Sequence, residues 1–255
     1  MQPAQTRGEL DNAAFSSRVF VVHVKKGYEA RRRSIERQLA ALSIPFEFML
    51  DGDISDLDET RMSRWFGPNM TANAVSSCAC KHLLVYERLL SEGLPGALVL
   101  EDDILLGGNF VDVFNATLAE LDSAPTSRHA TAWLSYENST LRMPSRRDVH
   151  DEQLLYRANE PRCTGAYYIG AAAARGLLDV ASSRKLHEPI DCFVSGLVRS
   201  GVSFLDIYWC HPPVAEQGSM NGVFDSMDSR RRSGAIRRMK WLVDKWYKIA
   251  RHRIA

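Results

Sequence analysis

Residues Ala97-Leu-Val-Leu100 form an unbroken apolar run that ends abruptly in three carboxylates, Glu101-Asp102-Asp103. A strand without polar alternation must be covered on both faces, which calls for a largely parallel sheet with helices on each side. The same signal recurs upstream. Arg18-Val-Phe-Val-Val-His-Val24 reads as a buried strand, and Tyr28, Ile35, Leu39 and Leu42 then mark one face of a helix. Ile44-Pro-Phe-Glu-Phe-Met-Leu50 returns as a second strand ending at Asp51-Gly52. Strand, helix and strand at this length predict a right-handed crossover unit. Downstream the pattern predicts helices over 71–92, 110–121, 171–180 and 189–200, with strands over 130–134, 164–170 and 201–210. The polar, basic stretch 141–151 reads as a loop, and His211-Pro212-Pro213 closes the last strand. The class is therefore α/β, and 255 residues suit a single main domain.

Charge divides that domain from the C-terminal segment. Ten of the 32 Lys/Arg and one of the 31 Asp/Glu fall from Arg230 onward, leaving 22 basic and 30 acidic residues before it. The body is near −8 and the tail near +9, and an acidic body argues against nucleic acid as a partner. The expected organisation is a flexible leader over 1–16, a body over 17–228 and a basic amphipathic helix over 229–255. On that helix Ile236, Met239, Leu242, Trp246 and Ile249 advance by three or four into one apolar stripe. Such a helix suits an anionic membrane surface, lying in the interface plane. The alternative is a terminal helix packed on the acidic body. No stretch approaches the roughly 20 apolar residues of a membrane span. Met1 to Asn12 lacks the apolar centre of a secretory signal. Five scattered cysteines (Cys78, Cys80, Cys163, Cys192 and Cys210) suggest reduced thiols in a cytoplasmic protein.

The acidic triplet carries the chemistry. Ligands of open α/β sheets bind beyond the carboxyl ends of the strands. Three adjacent carboxylates repel one another unless something positive neutralises them. A hard divalent cation, Mn2+ or Mg2+, shared with phosphate oxygens would do so, and would stabilise charge on a leaving diphosphate. The bland alternative is a set of acids opening a turn.

Taken with the triplet, Ser77-Cys-Ala-Cys-Lys-His82 upstream of Ala97-Leu-Val-Leu-Glu-Asp-Asp-Ile-Leu-Leu106 resembles glycosyltransferase family 25, whose members build bacterial lipooligosaccharide. Val22-His-Val24 with Arg32 and Gln38-Leu39, Asp51-Gly52, Thr164-Gly-Ala-Tyr-Tyr-Ile169, Glu188-Pro-Ile-Asp191 and Pro213 to Gln217 agree with it. The likeness covers about Arg18 to Gly218 and departs from the family pattern at His23, Val75 and Lys81. It implies a GT-A-type fold over 17–228. It also implies an inverting, manganese-dependent transfer of a hexose, galactose or glucose, from a nucleotide-diphosphate sugar such as a UDP-hexose. The acceptor would be a glycolipid or oligosaccharide at the inner face of the cytoplasmic membrane.

Roles come from the same resemblance. Asp103 would hold the metal, with Glu101 or Asp102 contacting ribose or a second metal position; His211, by its place after the last strand, is a further candidate ligand. His23, Arg32, Asp51, His82, Glu101 and Asp102 would bind the donor. Inverting transfer needs a base for the acceptor hydroxyl, as in inverting glycoside hydrolysis. Asp191, the only acid in the apolar run 189–194, is the candidate, a raised pKa suiting it to the task; the alternative is a helix-capping Asp. Asp51 is otherwise an ordinary Asp-Gly turn. Cys78 and His82 share a helix face and offer half a zinc site, but no second ligand pair accompanies them. Trp133, Tyr136 and Tyr167 either stack on sugars or fill the core. Two other classes compete. A metal-dependent phosphohydrolase would want a nucleophilic Asp in the first strand, where Val19 to Val24 has none. A non-catalytic membrane-binding protein leaves the triplet unexplained.

Overall fold

The structure, a computed structural model, describes residues 15, 17–123, 128–224 and 234–254. The expected leader over 1–16 lies outside the described residues except for Phe15, which stacks on Phe114. The strands are β1 (Arg18–Val22), β2 (Glu47–Met49), β3 (Gly96–Glu101), β4 (Ile104–Leu106), β5 (Ala132–Ser135), β6 (Leu155–Ala158), β7 (Ala166–Gly170), β8 (Asp206–Cys210) and β9 (Ala215–Gln217). The helices are α1 (Glu29–Ala41), α2 (Glu59–Trp65), α3 (Ala74–Ser91), α4 (Phe110–Asp122), α5 (Ala171–Arg184), α6 (Ile190–Arg199) and α7 (Gly234–Ile254).

Seven strands form one mixed sheet in the order β2-β1-β3-β7-β5-β8-β6, while β4 and β9 make a separate ribbon. β1 pairs in parallel with β2 and β3, and β5 with β8. β7 runs antiparallel between β3 and β5, and β6 antiparallel along the β8 edge. Five strands thus point one way and two the other.

The unbroken apolar run of β3 has the two-sided cover that its pattern requires. Ala97 and Val99 face a core shared with Leu83 and Tyr86 of α3, Leu177 of α5 and Phe193 of α6. Leu98 and Leu100 face the opposite core, with Ile35 and Leu39 of α1 and Phe110 and Phe114 of α4. Each fully buried Leu or Val contributes roughly 1.5–3 kcal/mol. Close approach fixes one glycine: a Cβ on Gly170 would lie 1.8 Å from the His129 carbonyl oxygen.

Strand direction brings the chemistry to one edge. The carboxyl ends of β1, β3, β5 and β8 and the start of β7 lie together there. α3 reaches the same edge, started by Asn73. Its side chain accepts hydrogen bonds from the Val75 and Ser76 N–H groups, while Ser76 Oγ accepts from the Asn73 N–H. This reciprocal cap satisfies donors that a helix start leaves orphaned. All five cysteines are free.

The tail forms α7. Lys245 pairs with Glu216, and Lys248 Nζ donates to the Thr140 carbonyl at 3.2 Å. Ile236, Met239, Leu242, Val243 and Trp246 are exposed, whereas Trp241, Lys245 and Ile249 are half-buried. No helix among the described residues is long and apolar enough to cross a membrane.

Candidate active site

Each acid of the triplet has a different environment. Asp102 accepts from His23 Nδ1 at 2.6 Å and from Arg31 at 3.2 Å, so two basic groups face its charge. Glu101 accepts from Thr164 Oγ1 at 2.7 Å and Gln217 Nε2 at 3.0 Å, with His82 Nε2 at 3.5 Å. Burial works to raise its pKa, but His82 and Thr164 prevail and hold it below the ordinary value. Asp103 is least compensated. Its Oδ2 accepts only the Ser219 N–H, at 3.2 Å, and its buried Oδ1 has no hydrogen-bond partner among the described residues. Burial, reinforced by the Glu101 charge, pushes its pKa up to about 6.

The β4–β9 ribbon holds this arrangement. Ile104 pairs with Gln217, and the Gly218 N–H donates to the Asp103 carbonyl at 2.8 Å. His82 is oriented from behind. Its Nδ1 lies 2.8 Å from Tyr167 Oη, which lies 2.9 Å from Tyr86 Oη. Beside the triplet opens a cavity of about 680 Å³ lined by His23, Lys26, Arg31, Lys81, Glu101 and Asp102, among others. That volume lies in the range of small-molecule and cofactor sites.

The family model for glycosyltransferase family 25, described as an LPS biosynthesis protein, matches residues 17–194. The chain belongs to glycosyltransferase family 25. It is 30% identical over 94 residues to the lipooligosaccharide biosynthesis protein lic2B of Haemophilus influenzae, a stretch spanning 35% of either protein. A crystal structure of a glycosyltransferase involved in the glycosylation of the major capsid of PBCV-1 is also similar. Its TM-score is 0.42 at 7% identity, over 89% of this chain and 99% of that one.

Within this family member, His23, Glu101 and Asp102 line the cavity, and His82 stands behind Glu101. Three expected residues are not brought there. Arg32 turns away, bonding Glu36 at 2.9 Å and lying over the Phe48 ring. Its neighbour Arg31 reaches Asp102 instead, because consecutive helical residues point about 100° apart. Asp51 is exposed near Lys25, and Asp53 lines the cavity in its place. His211 does not converge with Glu101 and Asp103. It follows β8, separated from β3 by β7 and β5, and its ring packs edge-on to Tyr156. Asp191 sits in the first turn of α6, half-exposed, its Oδ1 accepting the Cys192 N–H at 2.9 Å. Its charge reaches Cys78 together with those of the triplet, so it occupies the same region.

Cys78 Sγ, His82 and Glu101 do gather, their ligand atoms lying within 4.8 Å of one another. Without a cation there, burial and the nearby acids push the Cys78 thiol well above its ordinary range. Of the aromatic candidates, Trp133 and Tyr167 stack at 3.8 Å and Tyr136 packs on Phe110 and Phe114, all fully buried. They are core.

Sequence reasoning assigned no role to several contributors. Lys81 is 2% exposed. Its Nζ donates to the Leu50 carbonyl at 2.7 Å and pairs with Asp53 at 2.8 Å, tying α3 to the turn after β2. Its place in the helix pattern was legible, but its partners were not. Thr164 and Gln217 carry no charge to flag them. Buried Glu137, just beyond β5, accepts the Ser139 N–H at 2.6 Å, and burial raises its pKa.

A divalent cation suits the triplet on its chemistry. Asp103 offers an oxygen that nothing described satisfies, on a carboxyl whose ionised form lacks compensation. An oxygen-ligated cation supplies that compensation.

Proposed function

We propose that this chain is an inverting hexosyltransferase of GT-A type, dependent on Mn2+ or Mg2+. Galactose or glucose passes from a nucleotide-diphosphate donor, UDP-hexose for choice, to a lipooligosaccharide acceptor. One observation carries the reading. An undercompensated buried carboxylate, Asp103, stands in a strand-end triplet beside a cavity lined by His23, Lys26, Arg31 and Lys81. Lys26 suits a diphosphate there, with His23, Arg31 and Lys81 adding positive charge while they hold Asp102 and Asp53. The acids of the triplet suit the cation that a diphosphate brings with it.

In this mechanism Asp103, with Glu101 beside it, would hold the metal, whose chemistry when bound would be to stabilise negative charge on a leaving diphosphate. His23 and Arg31 fix Asp102 so that it faces the nucleotide sugar. Lys81 keeps the turn after β2 in place under the nucleoside. Tyr167 orients His82, and His82 in turn helps keep Glu101 ionised. Asp191 takes the proton of the acceptor hydroxyl as that oxygen attacks the anomeric carbon from the face opposite the diphosphate. The exposed stripe of α7 and the basic residues around it support docking on the anionic inner face of the cytoplasmic membrane, where lipid-linked acceptors lie.

The test is incubation with Mn2+ and a panel of nucleotide sugars, reading donor hydrolysis and thermal protection. Hydrolysis of one UDP-hexose, abolished by EDTA, is expected. Full turnover in EDTA overturns the metal assignment, and neither turnover nor protection with any sugar overturns the transferase reading.

A further inference from the structure

A second cavity, of about 760 Å³, lies away from the triplet at the β8–β6 edge. Trp209 and Tyr156, directly paired across β8 and β6, form its floor. The loop carrying Pro144, Ser145, Asp148, His150 and Gln153 also lines it, as does Asn159. In strand order it stands three places from β3, about 14 Å at the usual strand spacing. That is too far for a group that touches the transferred sugar.

Its aromatic floor is rigid. Trp209 Nε1 donates to the Glu160 carbonyl at 2.8 Å, and the guanidinium of fully buried Arg162 lies 5.2 Å from the ring centroid. Tyr156 Oη accepts from the His150 N–H at 3.1 Å and donates toward the Gln153 carbonyl at 3.0 Å, which pins that loop to the floor. Two polar groups on the rim remain unspent. The Asp148 carboxylate and the Asn159 amide are exposed and make no side-chain hydrogen bond to described residues. A held aromatic plane beside free carboxylate and amide groups matches a sugar ring. Such a ring offers an apolar C–H face and an equatorial rim of hydroxyls that both donate and accept. Charge argues in the same direction. Arg157 at the cavity is already paired with Asp206 at 2.8 Å, and the free Asp148 disfavours an anion.

We propose that this cavity is a subsite for a neutral stretch of the acceptor oligosaccharide, remote from the hydroxyl that is glycosylated. The proposal rests on the transferase reading for the word acceptor, and on the cavity alone for carbohydrate binding. Contacts with a remote part of a substrate supply binding energy that orients the reacting end. The subsite therefore selects longer acceptors over a single sugar.

The test uses full-length protein and the oligosaccharide released by mild acid from bacterial lipooligosaccharide, with lactose as the short comparator. Binding is read by saturation-transfer NMR and titration, for the wild type and for an Asp148→Ala/Asn159→Ala double variant. Both positions are exposed, so an unchanged Tm verifies the fold, and Trp209→Phe provides a second variant that keeps a ring. The expected result is wild-type binding of the oligosaccharide, weakened at least tenfold in the double variant, with lactose bound more weakly than the longer chain. Equal binding by wild type and double variant, or no oligosaccharide binding by the wild type, overturns the subsite. Donor hydrolysis by the wild type is measured separately: its absence counts against the transferase reading and leaves the binding comparison standing.

Discussion

Replacing Asp103 with asparagine tests how the triplet is held. The residue is 2% exposed, and burial with the Glu101 charge raises its pKa from an ordinary 3.8 to about 6. Two units at 1.36 kcal/mol each mean that ionised Asp103 weighs against the metal-free fold by about 3 kcal/mol at neutral pH. The sign is set by the folded pKa lying above the unfolded one. The favourable contribution is complete below about pH 4 and is lost as pH rises through about 6. Asparagine carries no charge and has no such loss. Its NH2 group, however, takes the place of an oxygen that no described residue contacts, and that returns about 1–2 kcal/mol of penalty. The net expectation is a variant about 1 kcal/mol more stable than the metal-free wild type near pH 7.5, a rise in Tm of about 2–4 °C. Thermal unfolding in EDTA, stepped from about pH 4.5 to about pH 8, reads both the difference and its pH dependence. Mn2+ should then raise the Tm of the wild type and leave Asp103→Asn unmoved, since a ligand stabilises only the state it binds. Stability curves that fall in parallel for the two proteins would refute the reasoning.

Asp191→Asn should slow transfer by roughly 10²–10⁴, the usual contribution of a general base, while donor affinity holds; transfer at the wild-type rate places the base elsewhere. Deleting residues 230–255 should release the protein from anionic vesicles in a sedimentation assay, with each basic residue near the surface contributing up to about 1 kcal/mol. If the full-length chain fails to sediment at low salt, α7 is a helix seated on the body through Lys245 and Lys248 instead. Gly170→Ala puts a methyl 1.8 Å from the His129 carbonyl oxygen, so β7 or the turn at 129–131 must shift. A loss of about 1–3 kcal/mol in denaturant unfolding is expected, and an unchanged midpoint would mean that the turn yields freely.

The sheet was legible where its strands are buried on both faces. Ala97 to Leu100 has no alternation because both cores claim it, and Val19 to Val22 behaves alike. Direction was not legible. Ala166–Gly170 reads the same way up or down, and only its pairing with β3 and β5 makes it antiparallel. β6 escaped notice because its four residues include an exposed Arg157 on an edge, and α2 because seven residues hold barely two turns.

The site divides along the same line, between what one residue declares and what only a partner decides. Three adjacent carboxylates declare themselves, since their repulsion must be answered by something. What answers each one comes from far along the chain: Arg31 lies 71 residues from Asp102, and Gln217 lies 116 from Glu101. Arg31 and Arg32 differ by one residue, and that step turns a helix side chain from the cavity toward Glu36. His211 stands apart from the triplet for a longer-range reason. Its position after a strand is the right kind of place, but the insertion of β7 and β5 between β3 and β8 was not written in either segment. Gln217 succeeds from the same stretch because β9 doubles back onto β4, carrying a neutral amide to the Glu101 carboxylate. Partial neutralisation of Glu101 and Asp102 by described groups leaves Asp103 the least compensated acid of the triplet.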